Sequence, residues 1–232
     1  MIPQAARSLP CMLADQYILS SVLEEKEDSI VYEATQKDLQ REVLVESLRV
    51  DAATDEEKVG RFFETYRLQA RIRHSSLAAP LEVVEYEGTW HVARERIHGE
   101  PLDAMVNAGR TLSAEMVCGL LQQLCYMHLY FDMERIATVP FSPEHTYLMD
   151  FGGYRFDHMA VAGVRRPGET QRQLAAVAAV VEPLLDRNSM FTPTLLQMMD
   201  QIRNTRSWSP ISPAVLDEEL IRLQMEMKKK KK

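Results

Sequence analysis

Apolar and polar positions alternate through the first part of the chain, then change to helical spacing near residues 96–99. Residues 17–23 alternate and are partly β-branched, which predicts a strand. Residues 29–35 (SIVYEAT) and 41–48 (REVLVESL) predict two more, with 24–29 as a charged turn between the first pair. A polar connector over 51–54 leads into a helix over 57–72, where Val59, Phe62, Phe63, Tyr66 and Ala70 recur at helical spacing. Thr54 suits its N-cap, with Glu56 and Glu57 in the first turn. Residues 77–86 and 89–95 then predict a hairpin turning at Glu87 and Gly88. The sum is a five-stranded lobe with one helix, preceded by a loose lead-in over 1–16 and ending at 97.

Beyond that point the pattern is mainly helical. A short helix over 100–107 ends at Gly109, and Ser113 caps a long one from 114 to about 131. Short strands over 146–148 and 154–156 flank Gly152 and Gly153, whose freedom at positive φ suits a tight turn. Residues 173–185 (QLAAVAAVVEPLL) are nearly all apolar, too short to span a bilayer, and predict the buried central helix of a second lobe. Two amphipathic helices follow over 193–202 and 213–227. The fold class is α+β with two lobes, 17–97 and 98–227, followed by a polylysine tail over 228–232.

Composition narrows the function. A hydrophobic fraction of 46% supports a packed core, and a net charge of −7 argues against a general nucleic-acid binder. Cys11, Cys118 and Cys125 lack metal-site spacing; the last two share a helix face, and the odd count points to a reducing compartment. No leader-like apolar run opens the chain and no stretch of about 18 apolar residues occurs, so a cytoplasmic location is expected. Lys228, Lys229, Lys230, Lys231 and Lys232 would suit an anionic membrane surface or an adjacent membrane helix, making the domain the cytosolic part of a longer membrane protein.

The order of elements resembles the protein kinase fold over roughly residues 17–226. VYEA at 31–34 looks like the second strand of that fold, and REVLVESLR at 41–49 is similar to the third strand of bacterial Ser/Thr kinases. RFFETYRLQARIRHSSL at 61–77 looks like the αC helix and the turn after it. GTWHVARERIHGEPL at 88–102 looks like strand five, the hinge and the opening of the second lobe. SPEHTYL at 142–148 falls on the segment after the catalytic Asp. The resemblance implies a bacterial-type Ser/Thr kinase scaffold, yet its chemical positions are changed.

In the family a Gly-rich loop covers the nucleotide phosphates, a strand-three Lys pairs with an αC Glu, and Asp and Asn hold base and metal. Here the three glycine positions fall on Glu24, Lys26 and Ser29. The Lys is Glu46, for which Arg67 or Arg94 is the expected partner, with Arg94 also a candidate to fill the adenine pocket. The αC Glu is Thr65, with Glu64 one residue away and about 100° around the helix. The catalytic base becomes Pro140, the metal-binding Asn becomes His145, and the magnesium Asp becomes His158, with Asp157 beside it. Asp150, Phe151 and Gly152 spell the magnesium motif literally, but lie too soon after Pro140 and are expected to form a turn. Gln173 stands for the Asp of the central helix, and 165–169 looks like a remnant of the end of the activation segment.

These losses predict a catalytically inactive, pseudokinase-type domain acting as a protein-interaction, scaffolding or signalling module. It would dock unknown protein partners on the αC face or on the Gln173 side. No cofactor, metal or nucleic acid is expected, weak ATP binding staying open. The alternative is an atypical nucleotide-binding or phosphotransfer enzyme re-wired around Glu46, His145, Asp150 and Asp157. A further alternative is an unrelated α+β interaction domain.

Overall fold

Strand β1 (Cys11–Leu13) opens an antiparallel sheet continued by β2 (Tyr17–Glu25), β3 (Ser29–Gln36) and β4 (Arg41–Leu48). After a single turn of helix, α1 (Val50–Ala53), and a longer helix, α2 (Glu56–Arg71), strands β5 (Pro80–Tyr86) and β6 (Thr89–Glu95) complete it. The computed structural model describes residues 8–138, 141–150, 152–157, 160–164, 168–204 and 212–230. The sheet has six strands in the order β1-β2-β3-β4-β6-β5. All five expected strands are present, and β1 is added from what the sequence assigns to a lead-in. Leu13 on β1 is fully buried and joins a core with Tyr17, Leu19, Val43, Val45 and Ala93. That burial is the reason the lead-in is ordered there. Strand β4, with neighbours on both sides, is buried from Val43 to Leu48, including Glu46 and Ser47.

Helix α2 departs from expectation at both ends. Asp55, not Thr54, caps it: the Asp55 carboxylate accepts from the Glu57 and Lys58 amides. A carboxylate reaches two orphan N–H groups and complements the helix dipole, while the Thr54 hydroxyl donates back to Asp51. Ala70 is exposed; Tyr66 is the buried member of the stripe.

The chain divides into two compact units. The first runs to Arg73 and includes Ala78–Arg96; the second takes His74–Leu77 and the chain from Ile97 onward. The expected strand over 77–86 accordingly begins only at Pro80. Leu77 instead forms a parallel bridge to Phe156 within the second unit.

In the second unit, β7 (Glu100–Pro101) precedes α3 (Leu102–Asn107) and α4 (Ala114–Glu134). Ser113 caps α4 by accepting from the Met116 amide at 3.2 Å, and Arg135 closes it at φ 56°. Strands β8 (Ile136–Thr138), β9 (Thr146–Leu148), β10 (Tyr154–Phe156) and β11 (Ala160–Val164) follow. They pair as β10-β9-β7 and β11-β8. Helix α5 (Glu169–Val181) starts a turn earlier than its apolar run and gives way to a 3-10 turn over Glu182–Leu184, where Pro183 lacks the N–H an α-helix needs. Its inward side is buried at Gln173, Leu174, Val177, Ala178 and Val181. Helices α6 (Thr192–Arg203) and α7 (Pro213–Lys230) complete the unit. Helix α7 runs antiparallel to α4, the Gln122 amide donating to Asp217 at 3.0 Å. Cys118 and Cys125 are buried on α4, and burial raises both thiols to about 12, which leaves them inert core residues. Among the described residues no helix is long and apolar enough to cross a membrane.

Candidate functional site

A carboxylate lies at the centre of the first unit. Glu46 is 5% exposed on β4 and carries three hydrogen bonds. Ser29 donates to Oε1 at 2.6 Å; Tyr66 donates to Oε2 at 2.6 Å; Lys26 reaches Oε2 at 3.2 Å. Burial by itself would raise the acid. The Lys26 charge, the two hydroxyls and the Arg94 charge outweigh it and hold Glu46 down at about 2, against a usual 4.5.

The sequence explains why these groups meet. Residues β2 and β3 pair up to Glu25 and Ile30, so only Lys26, Glu27 and Asp28 turn the corner. The Lys26 amide donates to the Ser29 carbonyl at 2.9 Å and tightens that turn. Strand register then sets Val31 opposite Glu46 and Ser29 opposite Leu48, which carries the Ser29 hydroxyl over the carboxylate. The acidic residues of the turn have cations of their own: Arg49 takes Glu25 at 2.9 Å and Lys58 takes Asp28 at 2.6 Å. Glu24 lies 3.8 Å from Lys26.

Because Glu46 is depressed in the folded state, its contribution to stability is complete above 4.5 and is lost as pH falls through about 2. The interval corresponds to roughly 3 kcal/mol. Denaturant unfolding at pH 5 and pH 3 should therefore show the native protein losing about 2 kcal/mol more than Glu46→Gln over that step. Equal losses would show that the carboxylate is not held this way.

Helix α2 is tied to the sheet by the Tyr66–Glu46 bond and by an edge-to-face contact of Phe63 with Trp90, centroids 4.8 Å apart. Of the two expected partners, Arg94 bears on Glu46 and Arg67 turns elsewhere. Arg67 is exposed and sits 5.6 Å over the Phe63 ring. Arg94 is buried on β6 and acts on Glu46 through its charge. Thr65 is half-buried and Glu64 exposed; neither joins the cluster, and the partner is the next residue, Tyr66. Its signal was in the sequence: a phenol on the apolar stripe must find an acceptor when buried.

In the second unit a loop is fastened from below. Glu169, in the first turn of α5, accepts from the Thr138 amide at 2.8 Å and the Thr138 hydroxyl at 2.7 Å. Gln173 accepts from the Phe141 amide at 2.7 Å, and Thr170 donates to Asp132 at 2.8 Å. Gln173, expected to mark a docking side of α5, is itself buried, its side chain bonded to the Phe141 amide. Gln123 of α4 holds β10 by accepting from the Tyr154 amide at 2.9 Å and donating to the Tyr154 carbonyl. His145 lies half-buried in a 3-10 turn, 3.9 Å from Glu144, and its carbonyl accepts from the Asp157 amide at 2.8 Å. Asp157 is buried directly after β10. Asp150 is exposed in the β9–β10 turn, where Gly152 and Gly153 take φ of 80° and 82°. Asp150 and Gly152 of the literal motif therefore lie in a hairpin whose register sets Tyr154 opposite Leu148, and Phe151 lies outside the described residues. Pro140 and His158 lie outside the described residues. Among those described, no group of three or more His, Cys, Asp or Glu side chains could hold a metal ion.

Two bacterial relatives are similar in sequence. A probable serine/threonine-protein kinase of Streptomyces coelicolor is 27% identical over 187 residues, 75% of this chain and 27% of the relative. The probable serine/threonine-protein kinase PknB of Corynebacterium glutamicum is 30% identical over 118 residues, 49% of this chain and 18% of the relative. The chain thus spans less than a third of the length of either relative. No family model matches it. The kinase domain of Mycobacterium tuberculosis PknI superposes with a TM-score of 0.63 at 15% identity, covering 93% of this chain and 98% of that one. The chain has a protein kinase-like fold.

Within the kinase-like fold, the sheet unit with α2 corresponds to the N-lobe and the helical unit to the C-lobe. By the resemblance described above, Glu46 is expected at the strand Lys, and Lys26 and Ser29 at two loop glycines. The structure brings these three together as one closed cluster. Glu169 and Gln173 keep the loop after β8 anchored to the central helix. Helix α5 begins five residues after β11 ends, so only residues 165–168 join them, where a kinase carries a much longer segment.

Proposed function

We propose that this is a catalytically silent kinase-like domain that works as a protein-interaction and signalling module. The observation that carries the reading is Glu46. In an active kinase this position presents an ammonium to the α- and β-phosphates. Here it holds a buried, ionised carboxylate, and the side chains of the covering loop are spent on it. A triphosphate would meet like charge at short range and would have to strip Lys26 and Ser29 from a well-bonded partner. The shortened connection before α5 supports the same reading, since it leaves little platform for a peptide substrate.

The exposed side of α2, with Glu57, Arg61, Glu64 and Arg67, is the docking face for a protein partner. Kinase-like folds switch through movement of this helix. In this chain it is pinned by a phenol–carboxylate bond instead of the usual ion pair, and its outer charges stand exposed on the helix surface. Crosslinking of a captured partner should map to these residues.

A thermal-shift titration with ATP, with and without Mg²⁺ or Mn²⁺, tests the silent site. A ligand at a hundred times its dissociation constant adds about 2.7 kcal/mol to stability. No shift is expected at millimolar ATP under any metal condition. A metal-dependent rise that Glu46→Ala abolishes would overturn the proposal and favour the re-wired phosphotransfer enzyme.

A further inference from the structure

Helix α7 carries Lys228, Lys229 and Lys230 in its last turn, all exposed. Lysines suit a helix C-terminus, where the dipole is negative, and a solvated end would need no more than that. Three further features set this end apart. First, the helix is clamped: Leu216, Leu220, Leu223 and Met227 are buried, so its ammonium groups project from a fixed platform. Second, large apolar side chains flank them. Met190 is 66% exposed and Met225 58% exposed. Met225 stands three and four residues before Lys228 and Lys229, on the same helix face. Third, a cavity of about 250 Å³ opens at the same end, lined by Ala114, Met190, Phe191, Met227 and Lys230, with Ser113, Glu115 and Ser189 at its polar side. The Lys230 ammonium lies 5.4 Å over the Phe191 ring and 3.5 Å from the Met190 sulfur.

Cations beside flexible, exposed thioethers and an apolar hollow match one kind of surface: anionic headgroups above acyl chains. We propose that the α7 end docks peripherally on an anionic lipid leaflet. Lys228–Lys230 contact the headgroups and Met190 and Met225 enter the acyl boundary. The lysine stems are long enough to keep their charges at headgroup level while their methylenes lie along the apolar layer. The chain as a whole carries a net charge of −7, so general attraction to such a surface is absent and this patch alone would orient the domain. Glu115 and Glu226 are the nearby opposing charges, and the lysines outnumber them.

Flotation of the full chain with phosphatidylcholine vesicles, with and without phosphatidylglycerol, tests the proposal. Binding should require phosphatidylglycerol and fall as salt rises. The triple variant Lys228→Gln, Lys229→Gln, Lys230→Gln should lose about a hundredfold, at about fivefold per lysine. Met190→Ser, an exposed change that keeps every charge, should lose about fivefold. Arg61→Gln removes one positive charge from α2 in the other unit and should change nothing, while circular dichroism confirms that all variants fold. Equal binding to neutral vesicles, unaltered binding of the triple variant, or displacement by polyglutamate as readily as by anionic vesicles would each overturn it, the last by pointing to an acidic protein.

Discussion

Glu46→Ala is expected to lose about 4 kcal/mol of unfolding free energy, the largest effect of any single change outside the apolar core. The side chain is 5% exposed and is the shared acceptor of Ser29, Tyr66 and Lys26. Truncation removes the acceptor of two buried hydroxyls and the negative charge that Lys26 and Arg94 both act on. Glu46→Gln keeps an acceptor but turns an amide toward the Tyr66 or Ser29 hydroxyl, so it should lose roughly half as much. Glu46→Lys, which restores the residue type of active kinases, should be the worst of the three, because it sets a third cation among Lys26 and Arg94. Urea unfolding followed by circular dichroism gives the order. If Glu46→Lys proved as stable as the native protein and gained ATP binding, the first unit would be an ordinary kinase lobe with one changed residue, and the silent reading would fall.

The second large effect is expected at the base of the loop after β8. Glu169→Ala should cost about 3 kcal/mol, since one carboxylate oxygen accepts from both the amide and the hydroxyl of Thr138. The Thr138 amide reports on this directly. Its hydrogen exchange should accelerate by about a hundredfold beyond the change in global stability, while amides of α4 follow the global change alone. Glu169→Gln should recover most of the protection, because its carbonyl oxygen can still accept. Unchanged exchange at Thr138 in Glu169→Ala would mean that β8 and β11 hold this strand without help from the helix. Glu169 and Gln173 thus tie Thr138 and Phe141, on either side of the loop, to α5.

Most of the fold was legible in the linear pattern. Strands over 29–35 and 41–48, the Ser113 cap of α4, and the turn at Gly152 and Gly153 all appear where local chemistry puts them. Period-two and period-3.6 patterning is a local property, so neighbours along the chain suffice to reveal it. Asp150, Gly152 and Gly153 lie in a turn for the same reason: two adjacent glycines announce a hairpin before any contact is known. Elements missed were those whose order comes from distant partners. Cys11–Leu13 is too short to show a period, and it is a strand because Leu13 fills the core beside Tyr17 and Val43. Residues 77–79 have strand character yet leave the sheet, since Leu77 pairs with Phe156.

The candidate site divides along the same line. Sequence alone determined that an acid, Glu46, stands in an otherwise largely apolar strand. Only the tertiary structure decided what that anion does. Lys26, Ser29 and Tyr66 lie up to 40 positions apart in number, from 26 to 66, and no spacing rule links them. A buried charge must be met by whatever donors the surrounding strands and helix bring within about 3 Å, and that is a property of the packed sheet and its register, not of any segment read by itself.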